Sequence, residues 1–185
     1  MDPDSDVVEL VANADMTGAL RAVMQRHGTA VYRYCREELR DAALADDVHQ
    51  QVFIQVYRDF PSFTGRSWVR TWLFAIARNR VLDAAKSRRR ALAHFEDDGS
   101  DQVEDPRPSP GETLDDVRLR RALIECVAHL PEATRTAVLL RFQQGFTFEE
   151  MAKICDERPG TLQAKVTRAL PLLRACIEAR TGGSV

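Results

Sequence analysis

The stretch TFEEMAKICDERPGTLQAKVTRALPLLRACIEA, residues 147–179, decides the fold because it holds two helical patterns separated by a tight turn. Thr147, followed three residues later by Glu150, has the sequence of a capping box and predicts the start of a helix. Residues 156–160, DERPG, interrupt this helix with a proline suited to a first helical turn and a glycine that tolerates a sharp bend. A second helix is then predicted from apolar residues at three- and four-residue spacing, namely Leu162, Val166, Ala169, Leu170, Leu173 and Ile177.

The other side of this second helix is polar and carries Gln163, Lys165, Thr167 and Arg168. Two helices joined in this way, with polar side chains on the second, are typical of a helix-turn-helix that reads the major groove of DNA. An αα-hairpin inside an ordinary helical bundle has the same pattern. This stretch alone therefore leaves both interpretations open.

The charges of the chain are unevenly distributed, although its 185 residues have a net charge of only −2. Between residues 66 and 90 the only acid is Asp83. The basic residues of the same segment are Arg66, Arg70, Arg78, Arg80, Lys86, Arg88, Arg89 and Arg90. Residues 96–116, in contrast, are rich in acids, with Arg107 as their one basic residue. Blocks of opposite sign predict distinct partners for distinct segments.

The four cysteines, Cys35, Cys126, Cys155 and Cys176, lie far apart and form no CxxC motif. With no signal peptide and no apolar run of transmembrane length, this distribution predicts a protein of the reducing cytoplasm without membrane insertion. Cys126 and His129 have the spacing of half a metal site, but no second half follows, so we interpret Cys126 as a buried thiol. We expect no metal and no other cofactor.

The patterns predict an all-α protein of two small helical domains joined by a flexible acidic linker. Residues 1–16 are acidic and are predicted to be disordered. The first domain is expected at 17–94 and the second, with the helix-turn-helix, at 113–180, followed by a tail at 181–185. The linker at 95–112, FEDDGSDQVEDPRPSPGE, combines acids with serine, glycine and proline and cannot bury a core.

One predicted helix of the first domain, DDVHQQVFIQVYRDF at residues 46–60, is two-sided. Its apolar face consists of Val48, Val52, Val56 and Phe60. Its polar surface carries Asp46, Asp47, Gln50, Gln51 and Gln55. This surface is either an ordinary solvated face or a docking face for a protein partner, and its amide groups, less hydrated than Lys and Glu, favour docking.

The segment that follows, FTGRSWVRTWLFAIARNRVLDAAKSRRR at residues 63–90, interleaves aromatic and basic side chains. Its aromatic residues are Phe63, Trp68, Trp72 and Phe74. Bases of single-stranded nucleic acid stack on such rings while cations follow the phosphates, so the density of both features predicts nucleic-acid binding. Aromatic residues equally form cores, and we expect Trp72 to do so.

Two stretches of the chain resemble one family of transcription proteins. The fragments VYRYCREEL, ADDVHQQVFIQVYRDF, FTGRSWVRTWLFAIARNRVLD and SRRR resemble region 2 of bacterial sigma factors of the extracytoplasmic-function group, within the sigma-70 family. The fragment LPEATRTAVLLRFQQGFTFEEMAKICDERPGTLQAKVTRAL resembles region 4 of the same group. The two matches occur in the family's order with a loose linker between them, and the ordered pair is more specific than either motif.

The resemblance implies a sigma factor that binds core RNA polymerase, recognises −35 and −10 promoter elements and promotes DNA melting. The residues that would pack on the clamp of the largest polymerase subunit are Asp46, Asp47, Gln50, Gln51 and Gln55. Those that would open the −10 element and hold one flipped base are Ser62, Phe63, Thr64, Gly65, Arg66, Ser67, Trp68, Arg70, Arg78 and Asn79. Those that would bind the −35 element are Arg158, Gly160, Thr161, Gln163, Ala164, Lys165, Thr167 and Arg168.

The resemblance also implies further contacts, with the polymerase beta flap and with a cognate anti-sigma factor. An enzyme is not expected, because neither block shows paired carboxylates, a nucleophile with a base, or a phosphate-cradling glycine loop. One alternative is a stand-alone helix-turn-helix regulator that binds duplex DNA without polymerase, although it would not explain the aromatic and basic segment. Another is an adaptor such as an anti-sigma factor, which needs no base-reading helix.

Overall fold

The computed structural model describes residues 4–65, 67–92 and 113–182, and within these ranges the chain is helical without a strand. The α-helices are α1 (Ser5–Ala12), α2 (Met16–Leu39), α3 (Ala42–Asp59), α4 (Val69–Leu92), α5 (Leu114–Ala128), α6 (Glu132–Val138), α7 (Phe148–Cys155) and α8 (Pro159–Thr181). A 3-10 turn, Phe60–Ser62, follows α3, and a π-helical segment, Leu139–Gln143, follows α6. The predicted all-α class is therefore confirmed, whereas the predicted linker lies outside the described residues.

These helices form two compact units. The first contains α1, α2, α3 and α4, and the second contains α5, α6, α8 and α7 as far as Ala152. In the first unit α3 packs against both α2 and α4. The apolar face predicted for α3 and the turn after it is confirmed, since each of its members is at most 1% exposed. These members are Val48, Val52, Val56 and Phe60.

The N-terminus differs from the prediction of disorder, because α1 packs against α2 and buries Val7 completely. Asp4, just before α1, is also completely buried. Its carboxylate accepts hydrogen bonds from Arg26 at 2.5 Å and from Nε2 of His27, which lies 3.0 Å from both oxygens. Arg26 also donates to Asp6 at 2.9 Å, and this hydrogen bond lowers the pKa of Asp6. Two of the acids that suggested disorder, Asp4 and Asp6, are thus paired with basic residues of α2.

Two capping boxes begin helices of the second unit. The backbone N–H of Thr147 donates to Glu150 at 2.7 Å and that of Glu150 donates to Oγ1 of Thr147 at 3.2 Å, which confirms the predicted box. A box that the sequence analysis did not name, Thr113 with Asp116, begins α5. The hydrogen bonds that Thr113 donates lower the pKa of Asp116.

Helix α8 packs on α5 and α6 through most of its predicted apolar side, of which Ile177 is half-buried. The buried residues of this side are Leu162, Val166, Ala169 and Leu173. Leu170, predicted to join them, is 46% exposed. Each helical residue turns by about 100°, so Leu170 points away from the side that Ala169 and Leu173 already fill. The helix continues beyond Pro171 to Thr181.

A disulfide joins Cys126 of α5 to Cys176 of α8, with a Cα–Cα distance of 5.9 Å. Our interpretation of Cys126 as a free thiol is therefore wrong, although the residue is buried as expected. The two cysteines are 50 residues apart, and only the packing of α5 on α8 brings them together. Cys35 and Cys155 are buried and form no disulfide, and burial raises the pKa of Cys35 to about 12.

Candidate nucleic-acid interface

The loop before α4 rests on a cluster of three aromatic rings. The ring centroids of Phe63 and Trp72 are 4.8 Å apart, and those of Phe60 and Trp72 are 5.7 Å apart. Gly65 has a φ of +69°, a left-handed conformation that glycine adopts at little cost and that allows the loop to bend. The aromatic cluster thus anchors the loop on both sides of this bend.

Trp68 is the exposed member of the aromatic segment. Its side chain is 55% exposed, whereas Phe74 is completely buried and Trp72 packs in the cluster, as the sequence suggested for Trp72. The carbonyl of Trp68 accepts a hydrogen bond from the backbone N–H of Trp72 at 3.1 Å, which fixes the backbone of Trp68 to the first turn of α4. A large exposed ring on a fixed backbone is suited to stacking on a nucleic-acid base.

The loop around Trp68 is open to solvent. Ser62, Thr64 and Gly65 are exposed and Ser67 is half-buried. The hydroxyl of Ser62 donates to the carbonyl of Asp59 at 2.8 Å, so this residue also ends the preceding turn. The predicted contribution of Arg66 lies outside the described residues.

The basic side chains of α4 are held by different neighbours. The guanidinium of Arg70 lies 5.8 Å from the centroid of the Phe74 ring, within the range of a cation–π contact. Nη1 of Arg78, which is half-buried, lies 3.4 Å from Oδ1 of the exposed Asn79. The side chains of Arg70 and Arg78, both predicted to contact DNA, are therefore partly fixed by neighbours on the same helix.

Gln55, whose place on the docking face stays a prediction, is half-buried and links α3 to α4. Its Oε1 accepts a hydrogen bond from Arg80 at 2.6 Å, and its Nε2 donates to Asp59 at 2.7 Å. Both polar ends of the amide are thus hydrogen-bonded to residues of the same unit. Arg80 was not among the predicted site residues, because periodicity along one helix does not show a contact with the next helix.

The exposed face of α3 is more apolar than the sequence analysis described. Ile54 and Tyr57 are 47% and 45% exposed. Ile54 lies three or four residues after Gln51 and Gln50, and Tyr57 lies three residues after Ile54, so they share one side of the helix. The α3 face, as we define it, consists of Asp46, Asp47, Gln50, Gln51, Ile54 and Tyr57, all of them exposed. Clustered exposed apolar side chains with a polar border are typical of protein interfaces. The signal in the sequence was that Ile54 and Tyr57 fall outside the buried stripe.

Helices α7 and α8 form the predicted helix-turn-helix. Helix α7 ends at Cys155, and Asp156 then adopts a left-handed φ of 53°, which turns the chain away from the helix axis. Pro159 is the first residue of α8, and the carbonyl of Arg158 accepts a hydrogen bond from the N–H of Thr161 at 3.0 Å. The turn between the helices therefore consists of residues 156–158.

Most residues predicted to contact the −35 element are exposed at the start of α8. They are Arg158, Gly160, Thr161, Gln163, Ala164, Thr167 and Arg168. Lys165 differs, because it is half-buried and its Nζ lies 2.8 and 2.6 Å from the two carboxylate oxygens of Glu157. Glu157 was not among the predicted site residues, because it lies eight residues before Lys165 and precedes the start of α8.

In the described part of the chain, potential metal ligands form no cluster of three or more. Within the same ranges, no helix is both long enough and apolar enough to cross a membrane. The chemistry of the exposed surfaces is thus that of stacking rings, guanidinium groups, amides and one apolar face.

Two family profiles match the chain. Sigma-70 region 2 matches residues 23–91, and Sigma-70, region 4 matches residues 120–173. The first range contains the α3 face and the aromatic loop, and the second contains the helix-turn-helix.

Individual proteins show the same likeness. The chain is 32% identical over 180 residues to the ECF RNA polymerase sigma factor BldN of Streptomyces coelicolor, covering 92% of this chain and 67% of that protein. It is 30% identical over 177 residues to the RNA polymerase sigma-H factor of Pseudomonas aeruginosa, covering 90% and 89%. Its fold is similar to that of the sigma factor RpoE from Bartonella quintana, solved in complex with the anti-sigma factor NepR, with a TM-score of 0.74 and 23% identity over 85% of this chain and 96% of that one.

Proposed function

We propose a specific role for each surface of this chain, which belongs to the extracytoplasmic-function sigma factors of the sigma-70 family. As a member of that family it is a polymerase-associated factor that binds core RNA polymerase and promoter DNA, and it is not a stand-alone regulator. The assignments that follow concern which of its residues make each contact.

The α3 face is the proposed docking site for the clamp of the largest polymerase subunit. Its exposed Ile54 and Tyr57 supply apolar area at the C-terminal end of the face, and Asp47 and Gln50 lie on the side toward the start of α3. Buried apolar anchors with a polar rim account for most of the affinity in protein interfaces. We therefore expect Ile54 and Tyr57 to contribute more to docking than the acids and amides do.

The aromatic loop before α4 is the proposed −10 surface. Flipping a base out of the duplex costs a few kcal/mol, and stacking on an aromatic side chain returns about 1–3 kcal/mol per base. Trp68 is exposed and held by backbone at the start of α4, so it needs little ordering to stack on an unpaired base. Arg70, Arg78 and Arg80 on the same helix are the proposed contacts for the phosphates.

The start of α8 is the proposed −35 surface, where Gln163 and Arg168 reach base edges and Arg158 contacts phosphate. A glutamine amide pairs with the adenine edge and a guanidinium with the guanine edge in the major groove. Both Gln163 and Arg168 are exposed on the first turns of α8, the part of a recognition helix that enters the groove.

Family membership supports three broader proposals. The chain acts as a transcription factor without catalysis of its own, and it works in the cytoplasm with polymerase. An anti-sigma factor is a proposed regulatory partner, and the support is that the similarly folded RpoE was solved in complex with one.

The observation that carries the proposed function is the presence, in one sigma-family chain, of an exposed helix-turn-helix and an exposed Trp68 on an anchored loop. Run-off transcription with core polymerase and a promoter library, read by sequencing the initiated transcripts, tests it. We expect enrichment of two sequence elements at a fixed spacing. Absence of initiation above that of core polymerase alone would reject the proposal.

The docking assignment has its own test, in which binding to core polymerase is measured for a double variant, Ile54→Ser with Tyr57→Ser. We expect weaker binding with an unchanged fold, because both side chains are exposed. Met24→Ser is the matched control, since Met24 is 44% exposed in the same unit but lies on α2. Equal affinities of the double variant and the control would remove the α3 face from the interface.

A further inference from the structure

Glu157 and Lys165 form an ion pair that spans the first turns of α8. Both carboxylate oxygens of Glu157 lie within 2.8 Å of Nζ of Lys165, and the two side chains are only 27% and 20% exposed. Lys165 lies one helical turn after Thr161 and about one turn before Arg168, so it shares their side of the helix. The pair thus lies on the surface that the proposed function turns toward DNA.

The dipole of α8 also stabilises the carboxylate of Glu157. Glu157 precedes Pro159, the first residue of α8, by two positions, and so lies at the positive end of the helix dipole. The carboxylate therefore has two sources of stabilisation, the dipole and the ammonium of Lys165. A DNA phosphate that approaches Lys165 therefore also comes close to the negative charge of this carboxylate.

We propose that Glu157 competes with DNA phosphate for Lys165 and so lowers the affinity of the −35 contact for all sequences alike. The inference rests on the proposed function of α8 and refines it, because it removes Lys165 from the base-reading residues. Phosphate contacts carry no sequence information directly, so the base preference is left to Gln163 and Arg168. The salt dependence of binding is the property that Glu157 controls, since each phosphate neutralised by a cation releases counterions.

The chain provides a matched control beside the proposed residue. Asp156 is exposed and carries the same charge one position earlier, whereas the carboxylate that holds Lys165 is that of Glu157. Asp156 has a φ of 53°, which asparagine tolerates well, so Asp156→Asn removes the charge without disturbing the turn. Glu157→Gln removes the same charge and frees Lys165.

The test uses holoenzyme assembled from the full chain and core polymerase, bound to a labelled duplex with the −35 element from the run-off selection and to one with that element scrambled. Glu157→Gln is expected to bind both duplexes about two- to fivefold more tightly at 0.1 M salt, as loss of a partly exposed ion pair allows. The slope of log affinity against log salt is expected to steepen by about one. Asp156→Asn is expected to change neither property to that extent.

A double variant separates release of Lys165 from general charge effects. In a Lys165→Ala background, Glu157→Gln is expected to lose its gain in affinity and its steeper salt slope. Equal behaviour of Glu157→Gln and Asp156→Asn, or a gain that persists without Lys165, would overturn the inference. A loss of affinity in Glu157→Gln, with thermal stability unchanged, would also overturn it and would indicate a direct contact of Glu157 with DNA.

The outcome for the parent protein distinguishes this inference from the proposed function. If the parent does not discriminate between the intact and the scrambled −35 element, the proposed role of α8 fails and the inference falls with it. If it discriminates and the two acid variants behave alike, only the role of Glu157 is rejected.

Discussion

The first unit fixes its N-terminal helix with a buried ion cluster, whereas the second ties its first helix to its last with a covalent bond. In the first, Asp4 pairs with Arg26 and His27 under α1. In the second, Cys126 of α5 is bonded to Cys176 of α8, the helix that we propose enters the DNA groove. The first unit also buries the rings of Tyr34, Phe60 and Phe74, in addition to its apolar α3 stripe.

The difference is consistent with the size of the two cores. Small domains bury a smaller fraction of their surface than larger ones and gain more from a cross-link. The described second unit has fewer residues than the first, and its largest fully buried side chains are Phe146, Leu140, Met151 and Leu162. We infer that the second unit depends on one link, whereas the stability of the first is spread over many contacts.

The largest expected effect is that of opening the disulfide. Breaking a link that spans 50 residues is expected to lower the free energy of unfolding of the second unit by about 2–4 kcal/mol, with little change in the first unit. Hydrogen exchange with and without reductant, compared between α5–α8 and α2–α4, measures the two effects separately. Equal loss of protection in both units would contradict the inference that only the second unit depends on the disulfide.

A double variant, Cys126→Ser with Cys176→Ser, provides the control for the reductant. The parent under reducing conditions and the double variant are expected to show similar protection in α5 and α8. Reductant is expected to have no further effect on the double variant, because Cys35 and Cys155 form no disulfide.

The next effect is expected at the ion cluster of the first unit. Asp4→Asn keeps the shape of the side chain but removes the buried charge that Arg26 and His27 share. Hydrogen bonds to charged groups contribute about 1.5–3 kcal/mol, so we expect a loss of that size in the protection of α1 amides. If α2–α4 lose protection to the same extent, α1 is part of the core and not a separately docked helix.

The aromatic loop allows a test of whether a side chain of the first unit can contribute to DNA binding without contributing to the stability of the unit. Trp68→Ala is expected to weaken binding of holoenzyme to a forked −10 template by about 1–3 kcal/mol, since one stacked base is lost. Its thermal stability is expected to stay close to that of the parent, because the ring is 55% exposed. Trp72→Ala is the contrasting variant, expected to lower stability and binding together.

The smallest effect concerns Asp6 and depends on pH. Its hydrogen bond from Arg26 lowers its pKa in the folded state below the ordinary value of 3.8, so the stabilisation is present above about pH 4 and is lost as pH falls through the lowered pKa. We expect the stability difference between the parent and Asp6→Asn to be constant at neutral pH and to shrink in acid. An NMR titration of α1 amides in both proteins measures it, and a difference that grows in acid would contradict the assignment.

Short-range patterns predicted much of this fold. The capping box at Thr147 and the buried stripes of α3 and α8 follow from spacing along a single helix, and the structure confirms them apart from the exposed Leu170 and the half-buried Ile177. The helix-turn-helix follows from the breaker residues between two such patterns. These features depend on neighbours in sequence, which is why one chain is enough to find them.

Pairings over longer distances could not be predicted in this way. The order in α1 depends on Asp4 meeting two residues of α2 that are more than twenty positions away. The disulfide, the link from Gln55 to Arg80 and the pair of Glu157 with Lys165 likewise need the packing of one element on another. Composition gives the number of charged groups, but only the tertiary structure shows which of them are paired with a group of opposite charge.

The contrast between the two tryptophans gives the protein a pair of built-in optical reporters. The chain has two tryptophans, the exposed Trp68 and Trp72, which packs against the rings of Phe60 and Phe63. A water-soluble quencher is expected to reach the indole of Trp68 readily and that of Trp72 poorly. Protection of the Trp68 emission from the quencher when template is added would report base stacking. A shift in the emission wavelength of Trp72 would instead report loss of the fold.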